Sequence, residues 1–76
     1  MKNWAKLNFK TKEETVKKID VFLENPFTSS LKTHKLTGIL KDYWSFSVSF
    51  NLRILFKFAQ KNTIEFIDIG THDLYR

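Results

Sequence analysis

Seventy-six residues, 42% of them hydrophobic and 16% aromatic, leave room for one domain with a dense core and not for a deep cofactor cavity. Lys and Arg outnumber Asp and Glu by 13 to 8, a formal +5 that draws the chain towards anions, nucleic acid first among them. Cysteine is absent, which excludes disulfides and thiolate metal sites. With no apolar run near the ~18 residues of a membrane span and no signal-peptide core in Met1-Lys2-Asn3-Trp4-Ala5-Lys6, the chain is expected in the cytoplasm.

The first ten residues carry only a weak helical preference, through Trp4, Leu7 and Phe9. Thr11-Lys12-Glu13-Glu14 then reads as a capping box, with the Thr11 hydroxyl accepting from the backbone and Glu14 reaching back. Val16, Ile19, Phe22 and Leu23 recur at helical spacing and predict one apolar stripe, with Lys17, Lys18 and Glu24 off it. Asn25-Pro26 ends the helix, because the proline ring disfavours helical geometry at the residue before it. Residues 27–33 form a polar connector.

From His34 the period changes to two. Leu36 and Leu40 bracket a short strand in which Gly38 permits a bulge or a close approach. Trp44, Phe46, Val48 and Phe50 alternate with Ser45, Ser47 and Ser49, the pattern of a strand buried on one face and wetted on the other. A turn near Phe50-Asn51 leads to a third strand, where Leu52, Ile54, Phe56 and Phe58 alternate with Arg53, Leu55, Lys57 and Ala59. Gln60-Lys61-Asn62 makes a second turn, Thr63 to Ile69 a fourth strand, and Gly70 ends it before a polar tail. The expected class is α+β: an N-terminal helix, or two, packed on an antiparallel sheet of three to four strands.

The polar residues with chemical potential gather at strand ends: His34 and Lys35 entering the first, Arg53 in the third, and His72, Asp73 and Tyr75 after the fourth. Arg53 and Lys57 share the set that alternates with Leu52, Ile54 and Phe56, so both are expected to point away from the core. Each has a plain alternative. A lone histidine is most often a surface residue, Arg53 has Glu65 and Asp68 within reach for an exposed ion pair, and Tyr75 can simply pack over the core. Two imidazoles and one carboxylate match no metal motif, so no metal is expected.

Taken together, Asn25-Pro26, Leu31-Lys32-Thr33-His34-Lys35-Leu36-Thr37-Gly38, Tyr43-Trp44-Ser45-Phe46-Ser47-Val48, Leu52-Arg53-Ile54-Leu55-Phe56 and Ile69-Gly70-Thr71-His72-Asp73-Leu74-Tyr75 resemble the RelE/ParE toxin superfamily. The likeness runs over roughly residues 11–76 and is nearest the YafQ- and YoeB-like messenger-RNA interferases. It implies a microbial-ribonuclease-type fold and a metal-independent endoribonuclease that cuts mRNA on the ribosome by attack of a 2′-hydroxyl on its own phosphodiester. It also implies a cognate antitoxin. Carried over residue by residue, Arg53 would hold the phosphate, His72 would act as general acid or base, and Tyr75 would stack on a base or orient the phosphate. His34 would line the site, and Lys35, with Lys32, Lys41 and Lys57, would bind RNA. Asp73 would orient the His72 imidazole only where the chain is not extended, since adjacent residues of an extended chain point apart. Relatives begin with a further strand and helix, and some carry a glutamate where Thr28-Ser29-Ser30 stand here. The same resemblance leaves open a ParE-like inhibitor of DNA gyrase and a decayed toxin without activity.

Overall fold

The computed structural model describes residues 1–71. Its elements are α1 (Phe9–Glu24), β1 (His34–Lys35), β2 (Trp44–Ser49), β3 (Leu52–Gln60) and β4 (Thr63–Gly70), with short 3-10 turns at Trp4–Lys6, Ser29–Leu31 and Gly38–Leu40. The strands lie in the order β1-β2-β3-β4, each antiparallel to the next, with α1 on one face. A helix on an antiparallel meander is the architecture the sequence predicts.

The helix begins earlier than its capping-box signature implies. Asn8, not Thr11, is the N-cap: its side chain accepts from the Thr11 amide at 2.8 Å. Both residue types cap well, and the earlier start draws Phe9 and Lys10 into the helix. Thr11 then lies in the first turn, where its carbonyl accepts from the Thr15 hydroxyl at 2.8 Å. At the other end Asn25 is extended (φ −154°, ψ 103°), as Pro26 requires.

The buried line of α1 also differs from the expected stripe. Thr15 and Phe22 are buried and Ile19 packs beside them, whereas Val16 and Leu23 are exposed. At about 100° per residue, positions 15, 19 and 22 share one line and 16 and 23 lie about a quarter-turn away. A narrow sheet covers only the one line. Thr15 sits there without penalty because its hydroxyl is satisfied within the helix.

The core lies between α1 and the sheet. Phe22 stacks on Phe46 (ring centroids 4.4 Å, planes at 14°) and meets Phe56 edge-on at 4.8 Å. Leu31, Val48, Ile54 and Ile69 complete it. Each such side chain contributes about 1.5–3 kcal/mol by leaving water. The inward set of β2 and β3 is therefore as expected at Phe46, Val48, Ile54 and Phe56.

Three strand expectations fail. The first strand does not run from Leu36 to Leu40; it is only His34–Lys35. At Gly38 the chain takes a positive φ of 69° and enters a 3-10 turn, leaving Ile39 98% exposed. Phe50 is also 98% exposed, since β2 ends at Ser49 and its register slips between Ser47 and Ser49, which hands Phe50 to the turn. Ser45, expected to be wetted, is fully buried between its register partners His34 and Leu55. The β3–β4 turn is as predicted: Gln60 pairs with Thr63, and Asn62 adopts φ 65°, a conformation asparagine tolerates.

Candidate functional site

Side chains directly opposite one another in an antiparallel pair share a face, so the register shows what stands on the face turned from α1. One row runs His34, Ser45, Leu55, Asp68; the next runs Ser47, Arg53, Gly70; and beyond Leu55, on its other side, Lys57 lies opposite Glu65. His34, Arg53 and Lys57 thus share that face. Two strand spacings and one pleat repeat separate His34 from Arg53, ~12 Å between backbones.

Their surroundings differ. His34 is exposed, and its Nδ1 lies 2.9 Å from the carbonyl oxygen of Lys32. A carbonyl only accepts, so in that hydrogen bond Nδ1 carries the proton, and the neutral ring keeps its lone pair on Nε2. Lys57 is engaged twice, its Nζ lying 3.7 Å from Glu65 Oε1 and 5.8 Å from the centre of the Tyr43 ring. Glu65 therefore pairs with Lys57, while Arg53, half-buried, stands opposite Gly70.

At the open end of the sheet, where β1 no longer flanks β2, a cleft of about 460 Å³ runs between α1 and the β2–β3 turn. Three cations line it, each from a different element: Lys18 of α1, Lys32 of the connector and Arg53 of β3. Hydroxyls of Ser30, Ser47 and Ser49 stand among them, and none of the described lining residues is acidic. Lys32 holds its place through a left-handed backbone (φ 52°) that closes the Ser29–Leu31 turn. Such an arrangement suits a phosphate, which guanidinium and ammonium groups bind through charge-assisted hydrogen bonds.

Of the residues singled out in the sequence, Arg53 and Lys32 meet in this cleft, and the His34 ring is tied to the Lys32 backbone. Lys35 and Lys41 are exposed but do not join them: Lys35 is in register with Trp44, on the other alternation set, and Lys41 follows the Gly38–Leu40 turn. His72, Asp73 and Tyr75 lie outside the described residues; the strand before them ends at Gly70, beside Arg53. The sequence reading missed Lys18, which looked like a solubilising residue off the apolar stripe. Its signal was its spacing, three residues after Thr15 and four before Phe22, which sets it at the margin of the buried line. Among the described residues no group of three or more His, Asp or Glu side chains is placed to hold a metal ion. No helix among them is long and apolar enough to cross a membrane.

No protein-family model matches the chain, and no curated protein matches its sequence. Among solved structures it is similar to a YoeB/ParE toxin from Agrobacterium tumefaciens, with a TM-score of 0.70 and 20% identity, over 93% of this chain and 84% of that one. The chain has the fold of that toxin, the fold its sequence resemblance to the RelE/ParE superfamily implies.

Proposed function

We propose that the protein is a RelE/ParE-type toxin of a toxin–antitoxin pair, acting in the cytoplasm as a metal-independent endoribonuclease on ribosome-bound mRNA. The observation that carries this reading is the toxin fold with Arg53 set in a cleft alongside two lysines. In the proposed reaction a ribose 2′-oxygen attacks the adjacent phosphorus while a base takes its proton. The P–O5′ bond breaks and an acid protonates the departing 5′-oxygen, leaving a 2′,3′-cyclic phosphate and a 5′-hydroxyl. Arg53 holds the two non-bridging oxygens, whose charge rises in the phosphorane, through a guanidinium fork that an ammonium cannot reproduce. His72 is the acid or base. His34 is its counterpart, with Nδ1–H committed to the Lys32 carbonyl and Nε2 left to exchange the proton. Tyr75 orients a base or the phosphate, and Lys32, Lys35, Lys41 and Lys57 supply attraction for the RNA. The antitoxin would cover this basic surface with an acidic segment that folds on binding.

Induced expression in a bacterium, followed by mapping of RNA 5′-ends, tests the reading. Codon-phased cuts that disappear in Arg53→Ala and His72→Ala are expected. Growth arrest with intact transcripts and DNA damage would point instead to gyrase. Soluble protein that arrests nothing would leave neither activity standing.

A further inference from the structure

Phe50 occupies the turn between β2 and β3 with its ring 98% exposed, and it forms part of the wall of the cleft that holds Lys18, Lys32 and Arg53. Ile39 is equally exposed, so exposure alone distinguishes nothing. What sets Phe50 apart is an uncovered aromatic face beside three cations and the Asn51 amide, in a space of about 460 Å³, within the usual ~300–1,000 Å³ of small-ligand sites. Cations that neutralise a backbone beside a ring on which a base stacks are the two halves of single-strand recognition.

We infer that this cleft is a nucleotide subsite for single-stranded nucleic acid, with the phosphate held between Lys18, Lys32 and Arg53 and the base stacked on Phe50. The inference rests on the reading of RNA as the target and adds to it two contacts, Phe50 and Lys18, that the sequence did not single out. A base in a duplex is already covered on both faces, so the exposed ring selects unpaired segments. Lys18 contributes from the helix side, so the strand passes over the β2–β3 turn towards α1 rather than lying on the sheet face alone.

The test is fluorescence anisotropy of the full-length chain with a labelled 2′-O-methyl RNA octamer, which has no free 2′-hydroxyl to react, and with a DNA octamer of the same sequence. Phe50→Ala is expected to weaken RNA binding by about 5- to 150-fold, the usual worth of one stacked base, and Phe50→Trp to restore it. Lys18→Gln should weaken binding and lower the slope of log affinity against log salt by about 0.7. Comparable effects on DNA would make the subsite general for single strands, whereas binding of RNA alone would assign it to RNA. Thermal unfolding of Phe50→Ala should match the parent, since the ring is almost fully exposed. Unchanged affinity in both variants would overturn the inference, as would a parent chain that binds an acidic peptide but neither octamer. A chain that binds through Phe50 and Lys18 but leaves transcripts whole keeps the subsite and loses the ribonuclease. Cleavage indifferent to both substitutions does the reverse.

Discussion

Asn3 and Asp68, at opposite ends of the chain, are joined by two hydrogen bonds: the Asn3 backbone N–H donates to Asp68 Oδ1 at 2.8 Å and its side-chain amide to Oδ2 at 3.1 Å. Asp68 Oδ1 also accepts from the Ile69 amide at 2.8 Å. Among the described residues β4 pairs only with β3, and an edge strand with free backbone groups invites unwanted pairing. The link brings the N-terminal Trp4–Lys6 turn to that strand. Asp68→Ala leaves three donors without their acceptor and should cost about 1–3 kcal/mol. At ~4–8 °C per kcal/mol for a domain of this size, the loss is readable by thermal melting. Asp68→Asn, which keeps one carbonyl oxygen, should cost less.

The Phe22–Phe46–Phe56 cluster is the other place where stability concentrates, because all three rings are fully buried and in contact. Phe22→Ala should cost about 3–5 kcal/mol by leaving a cavity the sheet cannot close. In a small domain that is a large share of the total. Denaturant titration should show a lower midpoint, or a chain already unfolded in buffer.

Helix capping separates two residues that the sequence ranks the other way round. Asn8→Ala removes the acceptor for the Thr11 amide and should cost about 1 kcal/mol. A Thr11→Ala substitution leaves that cap in place and should cost less. Equal losses, measured by thermal melts of the two variants, would contradict the assigned start of the helix.

The Lys57–Glu65 pair, at 3.7 Å and with both side chains well exposed, should contribute little. A double-mutant cycle with Lys57→Ala and Glu65→Ala is expected to give a coupling below about 1 kcal/mol. Lys57→Ala is therefore expected to shift the melting temperature little, so that its effect on RNA binding can be read directly.

The helix, β2 and β3 are legible because their apolar residues keep one period over several positions, and β4 because an apolar-rich run lies between two turn signals, with Pro26 and the polar turn residues as punctuation. The missed features depend on neighbours rather than on local pattern. Leu36-Thr37-Gly38-Ile39-Leu40 has strand-like residues, but Gly38 takes a positive φ and the main chain closes by Leu36 N to Tyr43 O at 3.0 Å and Tyr43 N to Leu40 O at 2.9 Å. Phe50 continues the inward alternation of β2 on paper, and only the register slip beside it sends the ring to solvent. Arg53 and His34 stand out in the sequence by residue type and strand position. Lys18 escaped notice because its cleft is made by three elements distant in sequence.

Incubating the purified chain with ribosomes programmed with a defined mRNA, and determining the chemistry of the new ends, tests whether the chain is a ribonuclease. The expected result is a cut within the ribosome-bound codon that leaves a 5′-hydroxyl, abolished by Arg53→Ala and not restored by Arg53→Lys, whose ammonium cannot grip two oxygens at once. Intact mRNA, or fragments carrying a 5′-phosphate, would contradict it.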